Sequence, residues 1–302
     1  KKLFKKLQAG EIDILIGTHA IFSKDLRFNR LGLVIVDEEH RFGVKHKEAL
    51  QRLSQLNPEG PTEYMAMSAT PIPRTLHLAM SGLREVSVIA TPPPGRISIQ
   101  TRFLRFNSKE IAKQIRFELQ RGGQVFFVHN VVKELTGIAT MLQELLPNVQ
   151  IEVASGQHTK KHIERVMFNI WEGKTHVLVC TTIIENGIDL PNVNTIFIND
   201  AYKMGLAQLY QLRGRVGRGK EQGYCTLLIP EGGLGKDALA RMTALKEYTA
   251  LGSGFAIANA DLEIRGSGDL LGKEQSGHID ALGLDIYIEL LQEAIQELKN
   301  TQ

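Results

Sequence analysis

The chain has 302 residues, 43% of them hydrophobic and 23% charged, with a formal net charge of +3. At ~100–200 residues per domain this length points to two domains, and the balance is that of a globular protein, which excludes disordered, collagen-like and coiled-coil chains. Two cysteines outside any CxxC pair exclude a disulfide scaffold and a cysteine-based zinc site, and with no signal peptide and no run near the ~18 apolar residues of a membrane span they point to a reducing, cytoplasmic setting.

The pI of 8.8 is compatible with nucleic acid without requiring it. The chain opens on Lys1 inside a helical pattern, KKLFKKLQAG, and closes on another helix, so a piece of a longer protein is expected. Strand-like apolar runs then follow at 13–17, 31–36, 64–67, 98–103, 124–128, 151–153, 177–180, 195–198 and 224–228. Continuous runs such as LGLVIV and HVLVC suit strands buried on both faces, as in parallel sheets. Between them lie helical patterns at 45–54, 74–81, 109–121, 132–146, 160–171 and 207–216. This alternation predicts an α/β fold with parallel sheets. The TPPPG run at 91–95 stops helix and sheet alike and marks a linker. Before it there is too little chain for a complete doubly wound domain, and after it there is enough. Past Pro230 a helix is expected at 236–250, then a glycine-punctuated segment, then an amphipathic helix carrying Leu284, Ile288, Leu291, Ile295 and Leu298.

VIVDEEH at 34–40 places Asp37 and Glu38 where a buried parallel strand ends, the usual ligand side of an open α/β sheet. Such a pair can divide two tasks, one carboxylate holding Mg²⁺ through its water shell and the other orienting a water for phosphoryl transfer. A solvated acidic turn is the plainer alternative. MSATPIPRTL at 67–76 offers Ser68 and Thr70 as hydroxyl links from that site, or simply a hydroxyl turn before a helix. In QLYQLRGRVGR at 208–218, Gln211, Arg215 and Arg218 share one face of the predicted helix, and two guanidinium forks facing a phosphate are what an arginine-finger mechanism needs. A basic face against nucleic-acid backbone is the alternative, although Gly214 and Gly217 are odd there unless the backbone approaches something closely. TTIIENGIDLPNV at 181–193 places Thr181 and Thr182 to meet the phosphates of a bound strand, with Glu185, Gly187 and Asp189 able to relay that contact to a nucleotide. Thr18 and His19 in IGTHAIF stand at another strand end. No GxxxxGK[ST] loop occurs in the 302 residues; Gly173-Lys174-Thr175 lacks the upstream glycine, Phe168 standing there.

The ordered set DEEH, SAT, TTIIENGID and QLRGRVGR resembles motifs II, III, V and VI of helicase superfamily 2. That resemblance implies tandem RecA-like lobes, the first incomplete here, with ATP between them and the phosphate loop upstream of Lys1. It implies that Asp37 and Glu38 are the Mg²⁺ and water-activating pair, that Gln211, Arg215 and Arg218 are motif VI, and that Gly187 and Asp189 lie at the nucleotide. Thr18 and His19 would contact nucleic acid from the first lobe and Thr181 and Thr182 from the second. His40, Ser68 and Thr70 would couple the two activities. DEEHRFGVKHKE, SATPIPRTLHLAMSGLREVSVIATPP and DLEIRGSGDLLGKEQSGHIDALGLDIYIELL narrow the resemblance to the bacterial transcription-repair coupling factors and their RecG relatives, the run after Gln275 suiting the former. Asn186 and His158 depart from that pattern, where Thr and Met are usual.

Residues 236–277 resemble the translocation motif of that family, a helical hairpin followed by a loop that would carry Arg265 and Gln275 and couple nucleotide state to grip on duplex DNA. The domains expected are 1–91, the later part of the first lobe; 92–235, the second lobe; and 236–302, the translocation motif with the terminal helix. The activity implied is an ATP- and Mg²⁺-dependent double-stranded DNA translocase in transcription-coupled repair. RNA polymerase and excision-repair proteins would be engaged through modules outside this chain. The rivals are a RecG-like fork-remodelling helicase and a non-catalytic DNA- or polymerase-binding module. Without the phosphate loop, the chain alone is expected to be inactive.

Overall fold

A computed structural model describes residues 2–18, 21, 26, 28–39, 42, 49, 60, 62–69, 85–89, 91, 94–186, 189–250 and 252–265. Several expectations lie outside those residues: the helix at 74–81, nearly all of that at 45–54, Pro92 and Pro93 of the linker, and the terminal helix. So do His19, His40, Thr70, Gly187 and Gln275. The chain divides into two compact units, Lys1–Ile72 and Pro73–Gln302.

In the first unit, α1 (Lys2–Gln8) precedes a parallel pair, β1 (Leu33–Asp37) and β2 (Glu63–Met67). Leu33 sits opposite Glu63 and Asp37 opposite Met67. Thr62 Oγ1 donates to Leu31 O at 2.7 Å and Glu63 N to Gly32 O at 2.9 Å, which locks the entry of the two strands. The expected strand at 13–17 is not formed. Ile14 and Ile16 are 79% and 90% exposed, and an apolar run becomes a strand only where a neighbouring main chain takes up its N–H and C=O groups.

The second unit is built on β3 (Gln100–Arg105), β4 (Gln124–Val128), β5 (Ile151–Ala154), β6 (Val177–Cys180), β7 (Val193–Ile198) and β8 (Tyr224–Ile229). These form one six-stranded sheet in the order β3-β8-β7-β4-β6-β5, and every neighbouring pair is parallel. The helices are α2 (Ser108–Gln120), α3 (Val132–Leu145), α4 (Lys160–Trp171), α5 (Leu206–Arg213), α6 (Lys236–Glu247) and α7 (Gly254–Arg265).

Successive strand residues point to opposite faces, and the core follows that rule. Val125, Phe127, Val177, Val179 and Phe197 pack with Ile111 and Ile115 of α2 and Leu135 and Leu142 of α3. Phe126, Val128, Leu178, Cys180, Ile196 and Ile198 pack on the other face with residues of α4, α5, α6 and α7. Buried on both sides, β6 and residues 125–128 of β4 read as unbroken apolar runs, whereas β7 also buries Asn194 and Thr195. Local chemistry starts the helices: the Asn107 side chain accepts from Glu110 N at the head of α2, and Thr159 accepts from His162 N at the head of α4. Buried Glu118 accepts from Arg121 at 2.6 Å and from Thr195 Oγ1, tying α2 to β7.

The structure corrects two helical expectations. Helix α5 ends at Arg213 with Gly214 as its cap, three residues short of 216, so Arg215 and Arg218 do not share a helical face with Gln211. Gly217, with φ of +64°, turns the chain there. The glycine-punctuated segment contains α7, which runs through Arg265; Ile257 and Ala260 have the core to pack against, and no glycine interrupts residues 255–265. Arg265 is thus the last residue of a helix, not part of a loop.

Candidate functional site

In the first unit the carboxylates stand where β1 ends. Asp37 is the last strand residue and is exposed, Glu38 is half-buried and Glu39 is buried. Glu38 has φ of +52°, a left-handed conformation that an L-residue other than Asn or Asp rarely takes. Strain of this kind costs ~1–3 kcal/mol and clusters at functional sites. Asp37 pairs with Met67, so the parallel register brings Ser68, exposed just past β2, to the same sheet end as the carboxylates. Thr18 is also exposed, its carbonyl accepting from Ile21 N at 3.0 Å.

In the second unit the strand order reverses between β4 and β7, and ligands of open α/β sheets bind outside the carboxyl ends at such a point. His129 follows β4 and Asn199 follows β7, with Asn199 Nδ2 and His129 Nδ1 3.0 Å apart. Buried His129 also meets Glu134 Oε2 at 2.8 Å through Nε2, and its main-chain N–H donates to Cys180 O. Asn199 N donates to Val128 O at 2.8 Å. Sequence reasoning passed over His129, Glu134 and Asn199. The available signal was position alone: each of His129 and Asn199 is the first polar residue after a fully buried strand.

Thr181 and Thr182 come directly after β6 at the same sheet end, and Thr181 N donates to Ala154 O at 3.3 Å. A 3-10 turn over Thr182–Asn186 carries the chain onward. This segment is laced to the arginine-bearing one. Gln208 Nε2 donates to Glu185 Oε1 at 3.0 Å, Arg218 Nη1 to Asp189 Oδ1 at 3.1 Å, and Gly217 N to Val193 O at 3.2 Å. The glycines are required by these approaches. A Cβ on Gly217 would stand 3.1 Å from Gly223 Cα, and one on Gly219 3.0 Å from Pro191 O.

Gln211 is half-buried and Arg215 buried, whereas Arg218 keeps part of its guanidinium at the surface. The structure thus brings together Thr181, Thr182, Asp189, Gln211, Arg215 and Arg218 on connected segments of the second unit, and Asp37, Glu38 and Ser68 at one end of the first unit's strand pair. The sequence pattern also left Arg213 unremarked. It is buried, its pKa lowered from the ordinary arginine value by desolvation.

Comparison with known proteins adds family to geometry. Residues 1–79 match the DEAD/DEAH box helicase family, and residues 107–220 match the helicase conserved C-terminal domain. Transcription-repair-coupling factors from Myxococcus xanthus and Escherichia coli (strain K12) are 49% and 46% identical to 99% of this chain, which covers 25% and 26% of their lengths. The chain thus spans about a quarter of these relatives. A structure of RecG bound to a three-way DNA junction superposes with a TM-score of 0.71 at 35% identity, over 96% of this chain and 37% of that one. The Mycobacterium smegmatis helicase Lhr bound to ssDNA and AMP-PNP shares the fold, at a TM-score of 0.56 and 18% identity, over 73% of this chain and 31% of that one.

Proposed function

We propose that this chain, whose residues 1–79 match the DEAD/DEAH box helicase family and which is similar along almost its whole length to transcription-repair-coupling factors, is motor-core sequence of an ATP-dependent double-stranded DNA translocase acting in transcription-coupled repair. The observation that carries this is the lacing of the Arg215–Arg218 segment to the Thr181–Thr182 segment through Gln208–Glu185 and Arg218–Asp189. Groups suited to a terminal phosphate and groups suited to a nucleic-acid backbone thus stand on neighbouring, hydrogen-bonded segments.

The Asp37 carboxylate, exposed at its strand end, has the hard oxygen donors that suit Mg²⁺, which when bound through water offsets triphosphate charge. Glu38 orients the attacking water. Arg215 and Arg218 neutralise the charge that develops on the γ-phosphate, and Gln211, Gly187 and Asp189 line the nucleotide. Thr18, His19, Thr181 and Thr182 hold DNA phosphates, so binding is independent of base sequence and weakens with salt. His40, Ser68, Thr70, Arg265 and Gln275 transmit between nucleotide and DNA, and residues 236–302 act as the translocation motif. RNA polymerase and excision-repair proteins engage parts of the full-length protein outside this chain, and the setting is cytoplasmic.

The test is ATP hydrolysis and displacement of a triplex-forming strand from linear duplex DNA. A protein extended upstream through its phosphate loop is expected to do both, with hydrolysis stimulated by duplex. The 302 residues alone, which contain no GxxxxGK[ST] loop, are expected to stay at background. Robust DNA-stimulated turnover by the chain alone would overturn the assignment of nucleotide binding to an upstream loop. Absence of turnover in the extended protein would leave a non-catalytic DNA- or polymerase-binding module. The likeness to junction-bound RecG supports a second function, fork remodelling. Unwinding of forked DNA without triplex displacement would select it.

A further inference from the structure

Arg213 lies within the segment that carries Gln211, Arg215 and Arg218, yet its guanidinium goes elsewhere. It is 4% exposed, with Nη1 donating to Leu245 O at 2.6 Å and Nη2 to Tyr248 O at 2.7 Å. Leu245 is in the last turn of α6 and Tyr248 is its C-terminal cap. The last carbonyls of a helix have no partner within it and form the negative end of its dipole. A guanidinium placed there makes charge-assisted bonds and is compensated without a carboxylate. Indeed, among the described residues no salt bridge joins Arg213 to an acid. The Tyr210 ring, one turn earlier on α5, covers the guanidinium with its centroid 5.1 Å from Cζ.

Helix α6 has a second tie: Arg241 Nη2 donates to Tyr202 O at 3.0 Å, in the 3-10 turn Ala201–Lys203 that follows β7. The body of α6 is therefore anchored to the sheet, while its end is gripped by the segment that carries the phosphate-directed arginines. Helix α7 begins seven residues after α6 ends and buries Ile257 and Ala260 in the same core. An arginine fork on two main-chain carbonyls fixes direction as well as distance, which an apolar contact of similar size does not.

We infer that Arg213 is a positioning residue that locks the end of α5 to the C-terminal end of α6, so that a displacement of the Arg215–Arg218 segment steers α6 and, through it, α7. This rests on the proposed translocase function and assigns to one residue the transfer from nucleotide to translocation motif. A purely structural tie would lower every activity of the protein together. A steering tie separates them.

The test uses the full-length protein with Arg213→Gln. DNA-stimulated ATP hydrolysis is expected to stay within about threefold of wild type, while triplex displacement per ATP hydrolysed falls by about tenfold or more, in the ordinary range of coupling between sites. Loss of both in the same proportion, or of neither, would overturn the inference. A measurement on the wild type holds should the variant fail to fold. Amide hydrogen exchange across residues 245–253 is expected to change when a non-hydrolysable ATP analogue binds in the presence of duplex DNA, and unchanged exchange would overturn it equally. A wild-type protein that binds no nucleotide and shows no DNA-stimulated hydrolysis would instead sink the translocase function itself.

Discussion

The two units are written in the same strand grammar and reach different states of burial. In the second, β4 and β7 are buried along their whole length between two helical layers. In the first, Leu33 and Ile35 of β1 are 54% and 53% exposed, and every residue of β2 is exposed. Purely parallel sheets are stable where both faces are covered, and a two-stranded pair has little core of its own. The register of β1 and β2 is nonetheless regular, and Asp37, Glu38 and Ser68 gather at its carboxyl end. The difference teaches that the placing of a strand-end site depends on strand pairing, whereas its rigidity depends on what packs against the sheet. Arg215 and Arg218, proposed to face the γ-phosphate, stand on the more deeply buried unit.

The largest expected effect tests that last point. Arg218→Ala in the full-length protein is expected to lower DNA-stimulated ATP turnover by ~10³-fold or more, in the range typical of arginine fingers, while nucleotide binding is largely kept. Wild-type turnover in the variant, read by steady-state phosphate release, would remove Arg218 from the proposed chemistry. Asp189 in its ion pair is 74% exposed, so the pair contributes little to stability and folding should hold.

A pair of substitutions sharpens the contrast in burial. Phe127→Ala removes a fully buried ring that stacks on Phe197 at 6.0 Å, and is expected to cost about 3–5 kcal/mol in urea unfolding. Ile35→Ala removes a half-exposed side chain and is expected to cost under ~1 kcal/mol. Equal costs would mean that β1 is covered as fully as β4.

The smallest effect is confined to alkaline pH and to the second unit. Burial raises the Cys180 thiol above its ordinary value and pushes that of Cys225 up to about 12. A pKa raised in the folded state means that folded protein holds the proton more tightly. The thiols therefore contribute nothing to the pH dependence below the ordinary thiol range. Above about pH 9 they progressively lower stability as the pH climbs toward the folded values. Cys180→Ala with Cys225→Ala is expected to flatten the decline in melting temperature between pH 9 and pH 11, measured by circular dichroism. A slope unchanged by the double substitution would show that other groups cause the decline.

Much of this molecule was legible in its residues. The strands at 124–128 and 177–180 and the helix at 160–171 fall where the pattern puts them, because unbroken apolar runs and a capping threonine act locally. The parallel α/β class followed from their alternation. The carboxylate pair and the arginine segment were visible as motifs for the same reason: each is a short run of residue types suited to the proposed chemistry.

What only the tertiary structure decided concerns partners distant in sequence. An apolar run at 13–17 reads like a strand, but pairing makes a strand, and no local pattern reports on pairing. Helical spacing grouped Arg215 and Arg218 with Gln211, whereas the close approach of Gly217 to Gly223 ends that regularity. His129 meets Asn199 because β4 lies beside β7, and Arg213 reaches Leu245 because α6 returns to the end of α5. Those contacts depend on strand order and helix packing, which are set by the sum of buried surface over the whole unit and written in no single stretch of chain.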